Sequence, residues 1–275
     1  MPRVDDPGRA GMLRADLVDH LQRTGAIRDE RIAEAFRVVP RHLFLPQMPL
    51  TAAYADDVVL MKRDDAGVPI SSVSQPSMIA LMLDQAAVRP GDHILEIGSG
   101  GYNAALLTEL TGPTGSVTTV DIDPDVTTRA RAALTRAGYP NVHVVQADAE
   151  YGVPQHAPYD RVVVTVTAWD IPPAWVDQLR PTGRIVVPLR LGGETRSIAF
   201  DDHHGHLESH SSILCGFVDI QGQGAHHAPD VPPPNAPIPH PTFQAHRTGT
   251  PLPAGFHIAR KHYTFTVCRV GGVGF

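Results

Sequence analysis

The sequence predicts an α/β protein. A mostly parallel sheet carries helices on both faces, with an N-terminal helical extension and an antiparallel C-terminal hairpin. Between residues 75 and 190, short apolar runs of strand length alternate with stretches of helical periodicity. That rhythm belongs to successive strand–helix–strand units. Turn formers stand at the junctions, as in Arg89-Pro90-Gly91-Asp92 and Asp123-Pro124. One junction is a glycine-rich turn between a buried strand and the next helix.

Taken in order, residues 1–10 look like a frayed end, and Leu13, Leu17 and Leu21 then recur at helical spacing until Gly25. Asp29 is placed to cap a second helix burying Ile32, Ala35, Phe36 and Val39, which Pro40 ends. Residues 41–70 read as extended structure and turns, punctuated by Pro46, Pro49, Gly67 and Pro69. A helix over Gln75–Ala87 follows, then a strand at His93–Ile97 and a helix through Ala104, Leu107 and Leu110 to Gly112. Ser116–Val120 is the next strand, and Asp123 with Pro124 opens a helix that runs to Gly138. Strands are expected at Val142–Gln146, Arg161–Thr165 and Arg184–Pro188, with a short helix at Pro173–Leu179. Residues 195–200 and 207–213 read as the hairpin, and no internal repeat is visible. The expected division is a helical and extended lid region over 1–70, the sheet domain over 71–224, and a Pro/His-rich segment over 225–275.

Composition narrows the function classes. A 275-residue chain, 42% hydrophobic, with net charge −6, can bury a large core and lacks the basic excess of a nucleic-acid binder. Neither a membrane-spanning apolar run nor a secretory signal is visible, which makes a cytoplasmic protein with no membrane partner the expectation. Cys215 and Cys268 form no close pair, so no disulfide framework or cysteine metal site is expected. Asp201, Asp202, His203, His204 and His206 crowd together, but their spacing fits a polar hairpin tip and no metal is expected. A Ser-His-Asp hydrolase is disfavoured because no Gly-x-Ser-x-Gly elbow occurs.

The glycine turn carries the chemistry. Glu96-Ile97-Gly98-Ser99-Gly100-Gly101-Tyr102 lets the backbone pass close to a ligand, and the helix start offers N–H groups to an anion. Asp121 closes the next strand, where a carboxylate can accept from both hydroxyls of a ribose. The spacing fits neither the dinucleotide fingerprint nor a P-loop. An acid at the strand end, Glu96, is a hallmark of S-adenosylmethionine sites, where it helps to neutralise the ligand's ammonium. Asp148 is a third strand-end acid, suited to the adenine amino group.

Separated motifs in the right order then point to a family. Ile27-Arg28-Asp29-Glu30-Arg31, Val39-Pro40-Arg41-His42-Leu43-Phe44, Tyr54-Ala55-Asp56, Val73-Ser74-Gln75-Pro76-Ser77-Met78, Ala157-Pro158-Tyr159-Asp160-Arg161 and Ile171-Pro172-Pro173 resemble the protein-L-isoaspartate O-methyltransferases over residues 12–224. Within that family, Gly98–Asn103, Thr167–Trp175 and Cys215-Gly216-Phe217 resemble most the bacterial FxLD-system methyltransferases, which modify ribosomally made peptides. The resemblance implies a class I S-adenosylmethionine-dependent methyltransferase with a Rossmann-like sheet. It implies cofactor contacts at Ser74, Glu96, Gly98, Ser99, Gly100, Asn103, Asp121, Ile122, Asp148, Ala149 and Thr165. Ser74 matches the family's active-site serine, and Gln75 and Trp169 are expected to touch substrate. The implied reaction is displacement at the sulfonium methyl by a carboxylate oxygen, which needs no general base because the carboxylate is ionised at neutral pH. The other expectation for Ser74 is an N-cap for the following helix.

The implied partner is a peptide or protein bearing aspartate or isoaspartate. The repair enzymes usually carry one more residue between the glycines and an alanine-rich stretch where Trp169-Asp170 stands. The peptide branch implies methylation of an aspartate that then cyclises to an aspartimide. General isoaspartate repair and an inactive cofactor-binding partner stay open beside it. After Gly224 the likeness fades, and residues 225–275 hold nine of the 26 prolines but one acid, Asp230. A disordered or polyproline tail, a peptide-recognition arm and a frameshifted region are the readings of that segment.

Overall fold

The first helix starts earlier than its sequence suggests. The computed structural model describes residues 7–98, 100–191, 193–203, 206–225 and 257–259, and α1 spans Pro7–Arg23. Residues 7–10 are therefore helical rather than frayed, and Ala10 is buried. Proline suits a first helical position because the N–H it lacks has no partner there. Gly8 and Gly11 disguise the start by lowering helix propensity. α2 (Glu30–Val38) opens as expected, with the Asp29 carboxylate accepting the Arg31 N–H at 2.8 Å. It buries Ile32, Ala33, Ala35 and Phe36.

Residues 41–70 depart from the expected extended chain. They hold a 3-10 turn at Arg41–Phe44, a short helix α3 (Leu50–Ala53), and an antiparallel pair, β1 (Val59–Arg63) and β2 (Pro69–Val73). The Lys62 ammonium ties this pair to the body through the carboxylates of Asp123 and Asp125, at 2.6 and 2.8 Å. β2 leads directly through Ser74 into α4 (Pro76–Ala86).

The alternation that follows lies where the sequence places it: β3 (His93–Ile97), α5 (Tyr102–Thr111), β4 (Ser116–Asp121), α6 (Pro124–Ala137) and β5 (His143–Gln146). β6 (Tyr159–Val164) and α7 (Pro173–Asp177) come next. β7 (Leu179–Leu191) is much longer than predicted, taking in Pro181 and Gly183, residue types that favour turns. The residue between, Thr182, has φ 70°, an uncommon conformation for a residue with a Cβ. The predicted helix accordingly stops short of Leu179. β8 (Glu194–His203) and β9 (His206–Leu214) form the antiparallel hairpin. A three-residue strand, β10 (His257–Ala259), pairs with β9. The rest of the Pro/His-rich segment beyond residue 225, including Pro232–Pro234, lies outside the described residues.

One sheet runs β10-β9-β8-β7-β6-β3-β4-β5, parallel from β7 to β5 and antiparallel from β7 to β10. Each face has its own apolar core. On one, Ile94, Leu106, Leu83, Phe36 and Val186 pack together with α1, α2, α4 and α5. On the other, Leu95, Ile97, Val162, Ile185 and Trp175 pack together with α7. Strand periodicity therefore sends Ile94 and Glu96 to the first face and Leu95 and Ile97 to the second.

The end of α4 is locked by two arginines. Arg161 donates from Nε to the Ala86 carbonyl at 2.8 Å, and Arg184 donates to Gln85 O at 2.8 Å while gripping Asp201 at 2.6 and 2.9 Å. Cations suit the carbonyl end of a helix. Fixing α4 against β6–β8 fixes its other end, where Ser74 enters.

Candidate active site

Chain order reverses at β3: β4 and β5 lie to one side and β6 to the other. In open α/β sheets such a reversal leaves a crevice at the carboxyl ends of the strands, and ligands bind there. The glycine turn occupies that crevice. Gly98 has φ +82°, and a Cβ there would lie 2.5 Å from Val166 Cγ1. Gly101 has φ +95° and begins α5 with no side-chain cap, which leaves the first helical N–H groups for an external acceptor. Gly98→Ala should therefore lower stability by roughly 2 kcal/mol through backbone strain and overpacking. It should also weaken binding of S-adenosylhomocysteine; urea unfolding and calorimetric titration measure the two effects.

Ser72, Val73, Ser74, Ile79, Gly98, Gly100, Tyr102, Asn103 and Thr165 line a small cavity of about 20 Å³ beside the turn. Five predicted site residues are thus brought together: Ser74, Gly98, Gly100, Asn103 and Thr165. Ser74 does not cap α4. The cap position is Gln75, and the Ser77 N–H is taken by Asp56 Oδ1 at 2.8 Å, so the N-cap expectation for Ser74 is corrected. The Ser74 carbonyl instead accepts from Arg41 Nη2 at 3.1 Å, and the residue lines the cavity. The Thr165 hydroxyl donates to Ile97 O at 2.9 Å and makes a further short contact with Gly98 O.

Glu96 is not a solvent-facing acid. It is fully buried at the end of β3, and Asn103 Nδ2 donates to its Oε1 at 2.8 Å. This bond aligns a carboxylate of β3 with the first turn of α5. Asp121 is partly buried, and burial is the main cause that raises its pKa from 3.8 to about 6; its Oδ1 accepts the Asp123 N–H at 2.9 Å. Next to it Ile122 is 37% exposed, an apolar side chain left uncovered beside a carboxylate. Asp148 is engaged by backbone: Oδ1 accepts from Glu150 N at 3.0 Å and Oδ2 from Gln223 N at 2.9 Å. Ala149 is buried and its carbonyl accepts from Trp175 Nε1 at 2.7 Å.

The predicted substrate residues stand apart from that small cavity's lining. Gln75 turns its amide to the Asp56 carbonyl, 3.2 Å away. Trp169 lies beneath the Arg190 guanidinium, 5.2 Å from its ring centroid, a cation–π arrangement. Ser99 lies outside the described residues. Among the described residues, no group of three or more His, Cys, Asp or Glu side chains could hold a metal ion, and no helix is long and apolar enough to cross a membrane.

Sequence reasoning missed Arg41. It is wholly buried, donates to Ala53 O at 2.9 Å and to the Ser74 carbonyl, and lies 4.9 Å from the Tyr102 ring centroid. Burial lowers its pKa from the usual arginine value. It thus joins α3, the Ser74 loop and the start of α5. The only sequence signal was its place in Val39-Pro40-Arg41-His42, because its partners lie far away in the chain.

S-adenosylmethionine fits these residues. An uncapped helix start, a buried strand-end carboxylate, and a second strand-end acid beside an uncovered apolar side chain are the chemistry that a ligand with a carboxylate, an ammonium, a ribose and a flat base would require.

Similarity to known proteins gives the family. Residues 12–224 match the family described as protein-L-isoaspartate(D-aspartate) O-methyltransferase. The chain is 42% identical over 196 residues to the protein-L-isoaspartate O-methyltransferase of Methanococcoides burtonii, covering 71% of this chain and 94% of that one. It is 40% identical over 223 residues to the Methanopyrus kandleri protein of the same name, covering 79% and 95%. A solved structure of a protein-L-isoaspartate O-methyltransferase superposes with TM-score 0.70 at 32% identity, covering 77% of this chain and 67% of that chain. A Plasmodium falciparum β-aspartate methyltransferase structure, in complex with S-adenosyl-L-homocysteine, shares the fold with TM-score 0.66 at 18% identity, covering 76% and 98%. The fold is that of the class I S-adenosylmethionine methyltransferases, and the chain belongs to the protein-L-isoaspartate O-methyltransferase family.

Proposed function

We propose that the chain is a peptide carboxyl O-methyltransferase that esterifies the side chain of an aspartate or isoaspartate. The observation that carries the reading is the convergence of Ser74, Gly98, Gly100, Asn103 and Thr165 on one small cavity at the sheet's switch point. Bound S-adenosylmethionine supplies an electrophilic methyl group on a sulfonium. The protein's part is positioning, because a carboxylate is already an ionised nucleophile at neutral pH. Ser74 Oγ donates to one carboxylate oxygen and leaves the other free to attack. Arg41 holds the Ser74 backbone, and the β1–β2 pair, anchored by Lys62, covers the cleft and limits water. Ser74→Ala should lower kcat about tenfold for the loss of one hydrogen bond to a charged group. Initial rates at saturating cofactor measure it, and an unchanged kcat would remove the orienting role.

The finer reading is tailoring of a ribosomally made precursor peptide. Gly98–Asn103, Thr167–Trp175 and Cys215–Phe217 support it through their likeness to the FxLD-system branch. The ester then loses methanol to a backbone amide and gives an aspartimide. General repair is the second reading, favoured by the names of relatives such as those of Methanococcoides burtonii and Methanopyrus kandleri. Mass spectrometry separates the two. A methyl ester, followed by net loss of water, on an acidic precursor encoded by a neighbouring gene supports tailoring. Turnover of generic isoaspartyl peptides with that precursor untouched supports repair.

A further inference from the structure

A second cavity, of about 220 Å³, lies behind the glycine turn and shares Ser72, Val73 and Gly100 with the small cavity beside Ser74. Its floor is one face of α6, where Val126, Arg129, Ala132, Ala133 and Arg136 follow helical spacing. The alanines leave the hollow and the arginines stand beside it. Phe44 and Met61 add apolar wall. Among the described residues its charged lining is Arg129 and Arg136, with no carboxylate, in a chain of net charge −6.

The two arginines differ. Arg136 donates to the Leu43 carbonyl at 3.0 Å and holds the wall. Arg129 makes no hydrogen bond or ion pair with a described residue, and its charge partly offsets the burial that raises the pKa of Asp121. A cation thus stands at the border between the cofactor cleft and an apolar hollow. A hollow of about 150 Å³ already takes a benzene ring, so this one accommodates a leucine or phenylalanine side chain.

We propose that this cavity docks the stretch of substrate peptide flanking the methylated aspartate, with an apolar side chain in the hollow and a neighbouring carboxylate on Arg129. The inference rests on the peptide methyltransferase reading and gives it a substrate class: acidic peptides with an apolar residue beside the acid. The shared lining residues explain why one chain can reach both cavities.

The test uses the full chain saturated with S-adenosylhomocysteine and fluorescein-labelled heptapeptides. Each carries one target aspartate and a Leu-Glu step before or after it, and each has a Leu-Gln control. At least one Leu-Glu peptide should bind about fivefold tighter than its control, the scale of one partly exposed ion pair. Arg129→Gln should abolish that difference. Ala132→Leu, at an exposed helix position that tolerates leucine, should weaken both peptides of that pair by filling the hollow. Calorimetry at pH 8, where Asp121 stays ionised with or without Arg129, should show S-adenosylhomocysteine affinity unchanged in both variants. Equal binding of every peptide and its control overturns the proposal. So does a cofactor affinity that falls in Arg129→Gln while peptide binding holds, since the cavity then serves the cofactor. Methyl transfer is assayed on the same peptides. Its absence with discrimination intact counts against the catalytic reading and leaves the docking site standing.

Discussion

Replacing Asp121 by asparagine should weaken S-adenosylhomocysteine binding about 100-fold at pH 8, the value of losing charge-assisted hydrogen bonds to a ribose. The wild-type protein should show a pH dependence that the variant lacks. Asp121 titrates near 6 in the ligand-free fold, chiefly because burial disfavours its charge. The ionised carboxylate is the form that accepts from both hydroxyls. Affinity should therefore be constant above pH 7 and fall about tenfold for each unit below pH 6. Stability moves the other way. The folded-state value lies above the ordinary 3.8, so the cofactor-free fold gains stability as pH falls from 6 toward 4. Asp121→Asn should accordingly melt no lower than wild type at pH 8, and calorimetric titration with thermal melts distinguishes lost binding from lost structure.

Glu96→Gln should also weaken the cofactor, by roughly 30-fold, for loss of the negative charge that meets an ammonium. Glutamine keeps the shape, and its amide carbonyl can still accept from Asn103 Nδ2, so the start of α5 stays in place. Glu96→Ala should do more harm. It removes the Asn103 acceptor in a fully buried setting and costs about 2 kcal/mol of stability. An analogue of S-adenosylhomocysteine lacking the amino group provides the check. Wild type and Glu96→Gln should bind it equally, and a persistent difference would place the charge effect elsewhere.

Local chemistry made much of this readable in advance. β3, α5, β4 and α6 announce themselves through apolar runs, glycine stops and the Asp123-Pro124 cap, and the acids Glu96 and Asp121 follow from strand ends. β1 and β2 were hidden because Lys62 and Arg63 interrupt one strand and Pro69 opens the other. β7 reads shorter in sequence because Pro181 and Gly183 favour turns; here they sit in an irregular stretch between the pairings of Leu179 with Tyr159 and of Arg184 with Arg161. Helix α1 was trimmed because Pro7, Gly8 and Gly11 are poor helix formers inside a helix. The Arg41 cluster depends on Ala53, Ser74 and Tyr102 meeting in space, and no spacing along the chain encodes that. Asp148 lies just past the end of β5, where its place after Gln146 in the sequence puts it. Its bond to the Gln223 N–H joins residues 75 apart, beyond the reach of any local pattern.

The central claim is transfer of a methyl group to a carboxylate. Its direct test is incubation of the full chain with methyl-labelled S-adenosylmethionine and aspartyl or isoaspartyl peptides, followed by mild base. The account predicts base-labile label on the peptide, or labelled methanol where the ester has cyclised, with Ser74→Ala slower throughout and Asp121→Asn slower at cofactor concentrations below saturation. Label that survives base, on nitrogen or sulfur, or neither labelled peptide nor labelled methanol at saturating cofactor, would contradict it.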